Sequence, residues 1–200
     1  MGRPRRFRLP DIPQLVSQRG HNRLPCFIDG DDFRRFREVL HESAHHYQCR
    51  VDALLMLPEG YWTVLVPASD DGLAQTLQRT GRLYVRHANR KYRRLGTLWA
   101  ERYRACPVEP SALWLARVGC FLAAMPQRRG MLQDGQRWPW WETALPEAET
   151  TEADAAASAS IESALRRGLV VGSDDFLAEM ARRSGQPTTP RRRGRPPRRG

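Results

Sequence analysis

Two apolar runs, Arg50 to Leu57 and Tyr61 to Val66, flank Pro58-Glu59-Gly60 and limit what this chain can build. The triplet is a turn signal, so the second run returns as a strand beside the first. Both runs are apolar on both faces. Such strands have to lie centrally in a sheet, with something covering each side. The flanking segments supply candidates. Ile12 to Arg19 reads as a strand. Asp31 opens a helix whose Phe33, Phe36, Leu40 and Tyr47 recur at helical spacing. Asp70 and Asp71 are expected to cap a long helix running to about Tyr92. Leu98 to Val108 reads as extended, and a helix from Ser111 to about Ala124 follows Pro110 and stops before Pro126. The order β-α-β-β-α-β-α predicts an α+β fold, a ferredoxin-like sandwich with an antiparallel sheet and helices on one face, followed by C-terminal helices.

Charge divides the chain further. Residues 1–141 read as the main domain, its first ten residues a basic arm. Glu142 to Glu162 holds no basic residue and is rich in Ala, Glu, Ser and Thr, so residues 142–159 read as an acidic Ala-rich linker. Residues 160–185 read as a short helical segment. Residues 186–200 are rich in Arg, Pro and Gly without apolar content, a composition expected to be disordered alone. No apolar run is long enough to span a bilayer, and no apolar segment of a signal peptide follows the first arginines, so a cytoplasmic protein without a membrane partner is expected. Cys26, Cys49, Cys106 and Cys120 show no CxxC spacing, which indicates neither a zinc site nor a disulfide framework.

Lysine and arginine number 33 against 22 acids, a formal net charge of +11. All the basic residues except Lys91 are arginine, whose planar fork matches phosphates and guanine edges. A GC-rich genome would account for the choice of arginine but not for the excess over acids, which points to a polyanionic partner. The excess is most ordered between Gly72 and Tyr92. At 100° per residue, Leu73, Leu77, Tyr84 and Ala88 fall on one side of a helix. Arg79, Arg82, Arg86, Arg90 and Arg93 follow at spacings of three and four on the other, and no acid occurs from Gly72 to Ala100. An ordinary solvated face mixes signs, because Glu–Arg pairs stabilise helices and like charges weaken them. The unmixed row therefore reads as a nucleic-acid contact. In the tail, Arg193-Gly194-Arg195-Pro196 resembles an AT-hook, in which arginines lie along a narrow minor groove; the alternative is a generic basic tail. His41, His45 and His46 share a helix and read as a polar, solvated face rather than a metal site. His21 and His87 stand alone.

Short ordered matches connect these features. Gln18-Arg19-Gly20-His21-Asn22-Arg23, Phe27 to Phe36, Leu57-Pro58, Arg90 to Trp99, Arg102-Tyr103, Pro126 to Met131 and Trp138-Pro139-Trp140 together resemble the REP-associated tyrosine transposases. These are a bacterial branch of the HUH single-strand transposases. The resemblance runs to about Trp141. It implies binding of hairpin or single-stranded repeat DNA near the bacterial nucleoid, and Arg19 and Arg23 join the candidate DNA contacts through their motif. It also implies a divalent metal, magnesium or manganese, on a His-hydrophobe-His strand after Met-Pro-Asn, and a tyrosine before Asn-Pro-Val that attacks phosphorus. Here the sequence departs. Matching Leu57-Pro58-Glu59 to the first motif puts Gly60 and Trp62 at the histidines, and matching Met125-Pro126-Gln127 to the second puts Phe121 at the tyrosine. The expectation is a catalytically inactive DNA-binding relative without a cofactor. Two alternatives remain. One is an active strand-transferase using relocated residues, with Tyr61, Tyr84, Tyr92, Tyr103 and Glu59 as spare groups; the other is an RNA-binding module. The oligomeric state is left open.

Overall fold

The computed structural model describes residues 6–133, 135–146 and 152–189. Its elements are β1 (Gln14–Arg19), a 3-10 turn (His21–Arg23), α1 (Gly30–His46), β2 (Cys49–Leu57), β3 (Gly60–Pro67), α2 (Gly72–Lys91) and β4 (Arg104–Pro107). They continue with α3 (Ala112–Ala123), α4 (Met125–Arg128), β5 (Trp141–Thr143), α5 (Glu152–Arg167) and α6 (Asp174–Ser184). The strands form one antiparallel sheet in the order β4-β1-β3-β2-β5. The two apolar runs thus lie where their patterning demands, β3 at the centre and β2 beside it. The α+β class expected from the sequence is the class observed.

Alternation along the strands sends side chains to two cores. Val16, Leu54, Met56, Tyr61 and Leu65 face α1 and α2, packing with Phe33, Phe36, Leu40, Leu77 and Tyr84. Leu15, Ala53, Leu55, Leu57, Trp62 and Val64 face the other way, against Val118, Phe121 and Leu122 of α3 and Ile161, Ala164 and Leu165 of α5. The helices of the split β-α-β units cover one face, as expected, and α3 and α5 supply the cover for the second.

Local chemistry fixes the helix ends. Asp29 caps α1: its Oδ1 accepts from the N–H groups of Asp31 and Asp32, and Asp32 Oδ2 accepts in return from Asp29 N–H. Asp71 stands at the N-cap of α2 but makes no capping hydrogen bond; its carboxylate pairs with Arg8 at 3.1 Å. At the far end of α2, Lys91 reaches Asp29 at 2.7 Å and Asp32 at 3.0 Å, and Tyr92 donates to Asp32 Oδ2 at 2.5 Å. The chain's single lysine thus ties the start of α1 to the end of α2.

Of the stretch Leu98 to Val108 expected to be extended, only Arg104–Pro107 forms a strand, and three further segments differ from expectation. The stretch read as a linker contains the end of β5 and the first half of α5. Alanine and glutamate are strong helix formers, and Ala157, Ile161, Ala164 and Leu165 give that helix a buried side. The basic arm is docked from Arg6 onward. Phe7 and Leu9 pack with Phe176 and Met180 of α6, and Arg6 lies 3.6 Å over the Tyr103 ring. Strand β5 has only three residues, too few to show a period. Trp138 and Trp140 staple the approach to it: Trp138 Nε1 donates to Met56 O, and Trp140 stacks on Phe33 at 4.7 Å.

Candidate nucleic-acid interface

Helix α2 buries Leu73, Thr76, Leu77, Thr80, Tyr84 and Ala88 against the sheet. That periodicity turns the opposite face outward, where Arg82, Arg86 and Arg90 are exposed and Arg79 is half-buried. The helix ends at Lys91, and Arg93 follows the C-cap Tyr92 in a left-handed conformation, φ 49°. It extends the row beyond the helix rather than lying on it. None of Arg79, Arg82, Arg86, Arg90 and Arg93 forms an ion pair with another described residue, and Arg79 Nε is buried without a hydrogen-bond partner among them.

The neighbouring helix provides an internal contrast. Helix α1 packs beside α2 on the same sheet face, yet its outward arginines are matched. Arg34 pairs with Asp31, Arg35 with Glu38 at 3.2 Å, and Arg37 with Glu142 at 2.7 Å. His41 also meets Glu142, at 2.5 Å, which fixes β5 against α1. Solvation alone would not leave one helix neutralised and the other wholly basic. An unmatched row of about 17 Å from Arg79 to Arg90, at 1.5 Å per residue, can follow a phosphate chain.

Arg19 belongs elsewhere. Alternation along β1 places it with Leu15 on the α3 and α5 side, where its guanidinium lies 5.7 Å from the centre of the Trp62 ring. Arg129 lies over the same ring at 4.8 Å and pairs with Glu59. Burial, then the nearby positive charge of Arg19, hold the Arg129 guanidinium below its ordinary pKa, against the opposing pull of Glu162. Arg129 joins this cluster from the C-cap of α4, far along the chain, within the Pro126 to Met131 stretch but not singled out there. The side chain of Arg23, and Arg193, Gly194 and Arg195, lie outside the described residues.

Gly60, Trp62 and Phe121 sit around this second core. Trp62 and Phe121 are both buried in it. Gly60 opens β3 opposite Arg19, and a Cβ there would stand 2.4 Å from Gln18 O and 3.0 Å from Arg19 Cα. No side chain fits at position 60 without moving the backbone of β1. A metal does not fit these residues: one position has no room for a ligand, the next is a buried indole with only an N–H, and Glu59 is held by Arg129. Among the described residues no three His, Cys, Asp or Glu side chains gather as a possible metal site.

The spare tyrosines have other roles. Tyr61 points to the α1 and α2 side, buried, and donates to Gln18 Oε1 at 3.0 Å. Tyr84 donates to Cys26 O at 2.7 Å within the same core. Burial pushes both hydroxyls well above the ordinary tyrosine range, which disfavours the phenolate a nucleophile needs. Tyr92 is held by Asp32, and Tyr103 lies under Arg6. Cys26, Cys49 and Cys106 are buried free thiols.

No protein-family model and no curated protein sequence matches the chain. Among solved structures, the fold is shared with a REP-associated tyrosine transposase bound to a REP hairpin, at TM-score 0.60 and 13% identity, over 76% of this chain and all of that one. A candidate transposase from Deinococcus radiodurans R1 aligns over 55% of this chain and 88% of its own, at TM-score 0.43 and 14% identity. The first of these shows the fold shared with this chain. Among the described residues no helix is long and apolar enough to cross a membrane.

Proposed function

We propose that this chain belongs with the REP-associated tyrosine transposases and is a DNA-binding protein that holds its DNA without cleaving it. The observation that carries the reading is the unmatched arginine row on α2 beside the neutralised α1. Arg82, Arg86, Arg90 and Arg93 contact phosphates, with Arg79 at the inner end. Guanidinium groups displace condensed counterions from the polyanion, and the gain is largest where no carboxylate competes for them. Arg193, Gly194 and Arg195 add a minor-groove contact from the tail, and Arg23 a further one. Hairpin or single-stranded repeat DNA is the ligand proposed, as the relative with the shared fold was solved on a hairpin. The protein acts in the cytoplasm, at the nucleoid.

Cleavage is not part of this reading. Nucleophilic attack on phosphorus requires an oxygen and a means of neutralising developing charge. Phe121 has no oxygen, and Gly60 and Trp62 cannot hold a metal. The test is incubation with labelled single-stranded hairpin DNA and magnesium or manganese. A native complex without any adduct surviving denaturation is expected. A covalent protein–DNA adduct would replace this reading with an active strand-transferase.

A further inference from the structure

A turn joins α2 to the stretch leading into β4, and it presents a leucine to water. Leu95 is 99% exposed, against 51% for Leu24 and 56% for Ile28 and Leu113, the other exposed large apolar side chains among the described residues. The turn is braced. Arg93 and Gly96 both take positive φ, 49° and 88°. Arg94 N–H donates to Asn89 O at 2.9 Å, and Asn89 Nδ2 donates to Gly96 O at 3.0 Å. Beyond the tip, Leu98 and Trp99 are buried, and Leu98 O accepts from His21 N–H at 2.8 Å. Anchored on both sides, the turn cannot fold Leu95 back onto the protein.

The surroundings define what would cover it. Arg90, Arg93 and Arg94 flank the tip. Leu24 and Ile28 belong to the β1–α1 loop, which is bound to this region through His21–Leu98 and through Lys91 and Tyr92 to Asp29 and Asp32. Apolar points set in arginines, at the end of an unmatched basic row, fit a partner that offers flat apolar surfaces and phosphates together. Nucleic-acid bases offer both, but only where they are unpaired or unstacked.

We infer that Leu95 is an apolar contact for an unpaired or unstacked base of bound DNA, held there by Arg90 and Arg93 on the adjoining phosphates. The inference rests on the DNA-binding reading above and names the part of the ligand that the turn meets. It gives DNA with unpaired bases a contact at Leu95 that uninterrupted duplex lacks.

The experiment compares the full-length protein with Leu95→Ser and Leu95→Phe on two probes. One is a hairpin with 2-aminopurine among its unpaired bases, the other a blunt duplex of the same length. Because Leu95 is 99% exposed, both variants should melt with the wild type. Leu95→Ser should lose about fivefold in hairpin affinity, comparable to the low end of a base–aromatic stack, with duplex affinity and salt dependence unchanged. The change in 2-aminopurine emission on binding should fall with it, and Leu95→Phe should restore both. Equal loss on both probes, or wild-type behaviour of Leu95→Ser, would overturn the inference while leaving the DNA-binding reading intact. So would sedimentation showing that Leu95→Ser separates a dimer. Wild-type protein that binds neither probe would remove the underlying reading and this inference together.

Discussion

At position 60 the decisive distance is 2.4 Å, the separation a Cβ would have from the carbonyl oxygen of Gln18. The obstacle is backbone in a central strand pair, so it cannot rotate away as a flexible side chain would. Gly60→Ala should therefore destabilise by about 1–3 kcal/mol, the range for overpacking, measurable as a lower urea midpoint. Installing a metal site meets the same barrier. The triple variant Gly60→His, Trp62→His, Phe121→Tyr should show no manganese binding in a calorimetric titration, because its first ligand has no place to stand. Trp62 presents the converse case. It is 2% exposed and fills the space between the sheet and α3, so Trp62→Ala should cost about 3–5 kcal/mol. The resemblance singles out all three positions in the sequence. It did not reveal the closeness of β1 at Gly60 or the two guanidiniums over Trp62, because both depend on residues distant in the chain.

Between elements, the junction of α1 and α2 depends on ionisation. Burial alone would raise the Asp32 carboxyl, but hydrogen bonds from Tyr92, Ile28 N–H and Lys91 outweigh it and hold it below the usual range. Asp29 is also lowered, first by its hydrogen bond from Lys91. Both depressed values make a stabilising contribution that is complete above the unfolded pKa of about 4 and lost as pH falls through the folded values. Tyr92 is pushed up to about 12, by burial and by its bond to Asp32. Its contribution is present below the unfolded pKa of about 10 and lost as pH rises towards the folded value. Asp32→Ala removes the reciprocal half of the capping box and leaves Lys91 with one partner fewer. It should cost on the order of 3 kcal/mol at neutral pH and shrink both limbs of the profile of urea midpoint against pH. Elements with a strong period were legible in sequence: α1, α2, β2 and β3 lie within about a residue or two of expectation. The elements missed carry weak or misleading local signals. Strand β5 is three residues long, and the start of α5 looks like a polar linker until its alanines meet the core.

Across the whole molecule, the sheet separates two basic regions of different character. On one side α2 exposes arginines without described acidic partners. On the other, Arg19 and Arg129 face Trp62 with Glu59 and Glu162 nearby. The motif that makes Arg19 a candidate contact does not show which face of β1 it leaves from; alternation along the strand and the strand order put it on the side opposite α2. The net charge of +11 does not distinguish the two regions, whereas the arrangement of matched and unmatched arginines does. The most direct test is the salt dependence of hairpin-DNA affinity for the wild type and for Arg82→Ala/Arg86→Ala/Arg90→Ala. Each lost phosphate contact should reduce the slope of log K against log salt by about 0.9 on a B-form stem, so the triple variant should bind more weakly with a slope shallower by about 2.7. An unchanged slope and affinity would contradict the account, because the row on α2 would then hold no DNA.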